Sequence, residues 1–94
     1  MDAALLRSIL ESSNGFKGEG HAFSVTEGFE VSIHLAIDSY DAAIDRVRAI
    51  RVEHGFVAIT SGDKATTTYA DASNVATIAV REEARADRKR PGFA

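Results

Sequence analysis

Apolar and polar positions alternate along this chain in two different rhythms. Over residues 2–13, Leu5, Leu6, Ile9 and Leu10 recur at helical spacing, with Arg7, Ser8, Glu11 and Ser12 on the opposite side, which predicts an amphipathic helix. Asp2 is placed to cap its first turn and Asn14–Gly15 to stop it. A helix of about twelve residues is marginal alone in water, so the stripe must be buried on a sheet or on a partner. Gly15, Gly18 and Gly20 punctuate the connector that follows, without the spacing or the GK[ST] of a phosphate-binding loop.

The rhythm then changes to a period of two. Phe29, Val31, Ile33, Leu35 and Ile37 alternate with Glu30, Ser32, His34 and Ala36, the pattern of a half-buried strand. With the preceding His21–Val25, residues 21–37 predict a hairpin. A three-residue loop, Thr26–Glu27–Gly28, sets Val25 opposite Phe29 and Phe23 opposite Val31. That register gathers the apolar residues on one face and puts Gly28 where a bulge needs a left-handed residue. Tyr40, Ala43, Ile44 and Val47 follow the i, i+3, i+4, i+7 pattern, so residues 39–48 read as a short second helix capped by Asp38 or Ser39; a strand starting near Ala42 is the competing reading.

The remainder predicts an antiparallel meander. Residues 49–53 are extended. Ile50 and Val52 face Val57 and Ile59 across a two-residue turn at His54–Gly55. Ser61–Lys64 forms the next turn, Ala65–Ala70 a strand rich in threonine, Asp71–Asn74 a short turn and Val75–Val80 the last strand. Residues 81–94 are charged and carry no apolar stripe, so they read as a flexible tail to a single domain spanning 1–80. The fold class is α+β: N-terminal helix, β-hairpin, short second helix and antiparallel meander. The alternative, without the second helix, is a helix on a small SH3-like or Sm-like barrel.

Composition narrows the chemistry. The absence of cysteine excludes disulfides, thiolate metal sites and cysteine nucleophiles. No apolar run approaches the roughly 20 residues that cross a bilayer, and no basic, apolar leader opens the chain, so a cytoplasmic location is expected. The net charge of −3 divides into −5 over residues 1–80 and +2 over residues 81–94. An acidic body is a poor match for phosphate backbones.

Candidate catalytic groupings are weak. The predicted hairpin turns His21 and His34 to opposite faces, and His54 sits in a turn apart from both, so no histidine metal site is expected. Asp38, Asp41 and Asp45 read as capping acids on a solvated helix face rather than as a magnesium or acid–base site. No serine stands in a GxSxG elbow. Arg46, Arg48 and Arg51 lie among Asp41, Asp45 and Glu53, which favours local salt pairing. No cofactor is expected.

The stretches Val31–Leu35, Phe56–Ile59 and Tyr69 with Val75–Val80 resemble strands of bacterial Sm-like RNA chaperones, and the leading helix is similar too. The resemblance implies a ring-shaped homo-oligomer that binds RNA, and of its aromatic positions Phe56 and Tyr69 carry over as candidate ligand or RNA contacts. The chain departs from that family at Arg48, where the family has glycine, in a longer interval between Leu35 and Phe56, and at Ala70–Asp71, where the family has a basic residue and a histidine. That last change removes RNA-contacting chemistry, so nucleic acid is not an expected partner. The expected function is a non-enzymatic interaction or assembly module acting as a homo-oligomer, with Leu6 and Leu10 as candidate self-association residues. An Sm-like nucleic-acid binder, and a small-molecule binder or enzyme with a helix–sheet cleft, are the alternatives.

Overall fold

The computed structural model describes residues 1–82 as one helix and eight strands in two antiparallel sheets. Helix α1 spans Ala3–Ser12. The strands are β1 (Phe16–Glu19), β2 (Ala22–Val25), β3 (Phe29–Ile37), β4 (Tyr40–Ile44), β5 (Val47–Val52), β6 (Phe56–Ser61), β7 (Thr66–Asp71) and β8 (Val75–Glu82). One sheet has the order β1-β2-β5-β6-β7 and the other β4-β3-β8. The α+β class holds, and the sheets do not close into a barrel: β1 and β7 are the edges of the larger sheet, β4 and β8 those of the smaller.

The helix begins as its sequence dictates. Asp2 caps it, its Oδ1 accepting the Leu5 N–H at 2.8 Å, and Ser13 closes it by donating its N–H to Ile9 O. Leu6 and Leu10 are buried, whereas Leu5 is half exposed, so the buried stripe is narrower than the sequence suggests. The N-terminal ammonium donates to Val75 O at 2.6 Å, which pins the start of the helix to the start of β8.

Both sheets turn their apolar faces into a single core. Phe16, Phe23, Val47, Ile50, Val52, Val57 and Ile59 come from the larger sheet and Val31, Ile33, Leu35 and Val75 from the smaller; Leu6 and Leu10 of the helix and Ala72 complete it. The meander of β5, β6 and β7 has the expected register, with Ile50 opposite Ile59 and Val52 opposite Val57 around His54–Gly55.

Three expectations are corrected. The first is the 21–37 hairpin: β2 pairs with β1 and β5, and β3 with β4 and β8, so Phe23 and Val31 are not cross-strand neighbours. Thr26–Gly28 is a corner that carries the chain from one sheet to the other. Thr26 N–H goes to Gly15 O, while Phe29 N–H closes the turn onto Thr26 O. Gly28 does take a positive φ, 92°. A hairpin and a corner between facing sheets put the same alternate residues inward, so alternation alone does not choose between them.

The second correction is the helix over 39–48, which is replaced by β4 and β5. Ile44 and Val47 are three apart because the chain changes sheet between them, at Arg46 with φ 55°. Val47 and Ile50 are three apart because a bulge at Arg48 breaks the β5–β6 register. The change of sheet, with the outward-facing Ala43 counted beside Ile44, imitates the helical periodicity of 39–48. Asp38 and Ser39, proposed as caps, form the β3–β4 turn, Asp38 at φ 53°.

The third concerns the ends of the meander and of the domain. β8 does not continue it. A 3-10 turn at Ala72–Asn74, held by Asp71 Oδ1 accepting the Ser73 N–H at 2.9 Å, sends the strand across to pair with β3, Val31 opposite Val80. Arg81 and Glu82, assigned by sequence to the tail, extend β8, and Arg81 Nε donates to Glu30 Oε1 at 3.1 Å. The rest of the predicted tail lies outside the described residues.

Candidate functional site

Phe56 and Tyr69 come together on the outer face of the larger sheet. The β6–β7 register sets Ala58 opposite Tyr69 and Phe56 opposite Asp71, so the two rings sit on a diagonal of the same face. Their centroids are 6.1 Å apart with the planes inclined at 52°, a tilted aromatic pair. Phe56 is 38% and Tyr69 65% exposed. Ala58 is buried although it points outward, between Arg51 on β5 and Tyr69 on β7. Arg51 Nε donates to Glu53 Oε2 at 2.6 Å, and Asp71 closes the row beyond Phe56. Bonds from the Ser73 backbone N–H and hydroxyl hold the Asp71 carboxyl below its usual range. The face therefore offers apolar rings, one phenol and more negative than positive charge nearby, which suits a protein surface better than a phosphate backbone.

Tyr69 also stands on an edge. Strand β7 is the last of its sheet, and no strand of the described residues pairs with its free side. Its inward positions are Thr66, Thr68 and Ala70, with no charge and no proline to blunt pairing. Opposite charges flank it, Lys64 before and Asp71 at its end.

The other candidate residues disperse. Leu6 and Leu10, each 1% exposed, lie inside the core of the chain, so a contact through them would require opening that core. His34 Nε2 is 3.9 Å from Asp41 Oδ2, and Ser32 Oγ donates to Asp45 Oδ1 at 3.2 Å, both on the outer face of the smaller sheet. His21 and His54, far apart in the sequence reading, share the wall of a small pocket of about 210 Å³ with Arg7 and Glu53, where His21 Nδ1 accepts from Arg7 at 2.9 Å. Among the described residues no group of three or more histidines and carboxylates converges on a point. The three arginines separate: Arg51 serves the aromatic face, while Arg46 and Arg48 turn to a cleft.

That cleft has no counterpart in the sequence reading. It opens between the sheets, at the β6–β7 end of the molecule, with a volume of about 670 Å³. The β2–β3 corner, the β4–β5 corner and the β6–β7 turn build its walls, segments about 15 to 35 residues apart. Arg46 Nη1 lies 3.8 Å from Asp63 Oδ2, and Arg48 Nη1 donates to Gly62 O at 3.2 Å. Thr26 is in the wall, and its Oγ1 is buried without a hydrogen-bond partner. Leaving such a hydroxyl unpaired costs about 1–3 kcal/mol. The local signals that exist, two arginines around a bulge and a glycine corner, gain meaning only when three corners meet.

Compared with protein-family models, with curated proteins and with solved structures, the chain finds no match. No helix among the described residues is long and apolar enough to cross a membrane.

Proposed function

We propose that the chain is a non-enzymatic interaction module that assembles with a second copy of itself through the β7 edge and the adjoining Phe56–Tyr69 face. The observation that carries this reading is the juxtaposition of an open, unguarded strand edge with an exposed aromatic pair on the same strand and its neighbour. Antiparallel pairing of β7 with β7 about a two-fold axis at Thr68 satisfies backbone donors and acceptors on both edges over about 20 Å. It joins two five-stranded sheets into one of ten. The same axis sets Tyr69 of one copy beside Thr67 of the other, so the four rings form one apolar strip. The Asp71 end of each strand then meets the Lys64 end of the other, which makes the contact self-complementary, as a two-fold interface requires.

Sedimentation of the full chain at micromolar concentration tests the reading. The expected particle has twice the 10.1 kDa chain mass. The double substitution Thr67→Lys, Tyr69→Lys places like charges on the edge and should return the chain to single copies that remain folded by circular dichroism, since both side chains are exposed. A 10 kDa species unchanged on tenfold concentration defeats the proposal.

A further inference from the structure

We propose that the cleft between the sheets binds a small monocarboxylic acid with a compact apolar body, its carboxylate on Arg48. Val31 and Val47 are fully or almost fully buried beneath the cleft, and Val25 and Phe29, half-buried in its walls, give it apolar surface. Its volume, about 670 Å³, has room for a small molecule, held in an open cleft rather than enclosed.

Charge decides the class of ligand. Arg46 faces Asp63, and Glu30 is bonded by Arg81, so both of those rim charges are matched. Arg48 is different. Its guanidinium reaches only the Gly62 carbonyl, and no carboxylate of the described residues stands within ion-pair distance of it. Its remaining N–H donors have the planar fork that fits a carboxylate in two parallel bonds. Glu27 is the unmatched acid on the same rim, and it repels a dianion such as phosphate with twice the force it exerts on a monocarboxylate, so one arginine there favours the single charge. The bulge at Arg48 keeps Val47 in the core and Arg48 on the rim, so floor and anchor come from adjacent residues.

The experiment is a titration of the full chain, followed by the amide shifts of Gly28 and Gly62 at opposite walls. The probes are 3-phenylpropanoate, the uncharged 3-phenylpropanamide and inorganic phosphate. Saturable shifts at both glycines are expected with the carboxylate, at a Kd on the order of 1 mM. The amide and phosphate should bind at least about tenfold more weakly, and Arg48→Gln should weaken the carboxylate by about tenfold. Lys17→Gln, exposed on β1 and outside the lining of the cleft, should leave the titration unchanged and controls for general loss of positive charge. Absence of saturable shifts at these glycines, equal binding of the amide, tighter binding of phosphate, or undiminished affinity in a folded Arg48→Gln chain each overturns the proposal. None of the lining residues lies on β7 itself, and the titration is read on amide shifts rather than on particle mass, so this proposal and the assembly reading fail separately.

Discussion

Ala65 is held at φ 52°, in the left-handed region, as the last residue of the four-residue turn that joins β6 to β7. Its N–H donates to Gly62 O at 3.3 Å, so the turn fixes the backbone there whatever the side chain. For a residue with a Cβ this conformation costs about 1–2 kcal/mol. Glycine removes that strain but loses more backbone freedom on folding, worth about 0.5–1 kcal/mol. Ala65 is exposed, so its methyl contributes little packing. Ala65→Gly should therefore stabilise the chain by about 0.5–1 kcal/mol, which for a domain of this size raises the midpoint by roughly 2–8 °C. Ala79→Gly supplies the opposite sign. Ala79 is equally exposed but sits within β8, opposite Ser32, without a positive φ, so glycine there should destabilise by about 0.5–1 kcal/mol. Urea unfolding with an unchanged m-value measures both. A destabilised Ala65→Gly chain, or two variants that shift in the same direction, refutes the reasoning.

Val31→Asp places an unpaired carboxylate at a fully buried site and should cost about 3 kcal/mol or more, whereas Ser32→Asp, on the outer face beside Asp45, should stay below about 1 kcal/mol; equal losses in chemical denaturation would contradict the inward face assigned to β3. Thr26→Val keeps the shape of the side chain and removes its unpaired hydroxyl, so stability should rise by about 1 kcal/mol, and a loss in the same assay would show that the hydroxyl has a partner. Asp71 ionises more readily in the folded chain than its ordinary value of 3.8, so its contribution to stability is present above that pH and fades as pH falls through the lower folded value. The melting temperature of the native chain should then drop more steeply below about pH 4 than that of Asp71→Asn, and parallel curves would contradict this.

Features set by neighbours in sequence were readable without the fold. Asp2 caps α1 because its carboxylate reaches an N–H three residues away, and the β5–β6 register follows from two residues, His54–Gly55, between runs that alternate. The inward set Val31, Ile33 and Leu35 follows from the period of a strand, since a half-buried strand must bury every second side chain. Phe56 and Tyr69 were legible as separate aromatic positions, the second within a threonine-rich strand. Tertiary structure alone decided the partners. Residues 39–48 matched a helix because the outward-facing Ala43 was counted with the inward Ile44 and because the change of sheet at Arg46 sets Ile44 and Val47 three apart, and a local pattern cannot distinguish such a break from a helical turn. Whether β2 joins β3 or β5, and whether β8 joins β7 or β3, depends on which arrangement lets two sheets and α1 share one core. That is a sum over contacts distant in sequence, and alternation is equal for each choice. The aromatic pair at 6.1 Å and the cleft with Arg48 exist only as consequences of those pairings, the first through the β6–β7 register and the second through three corners that the fold brings to one end.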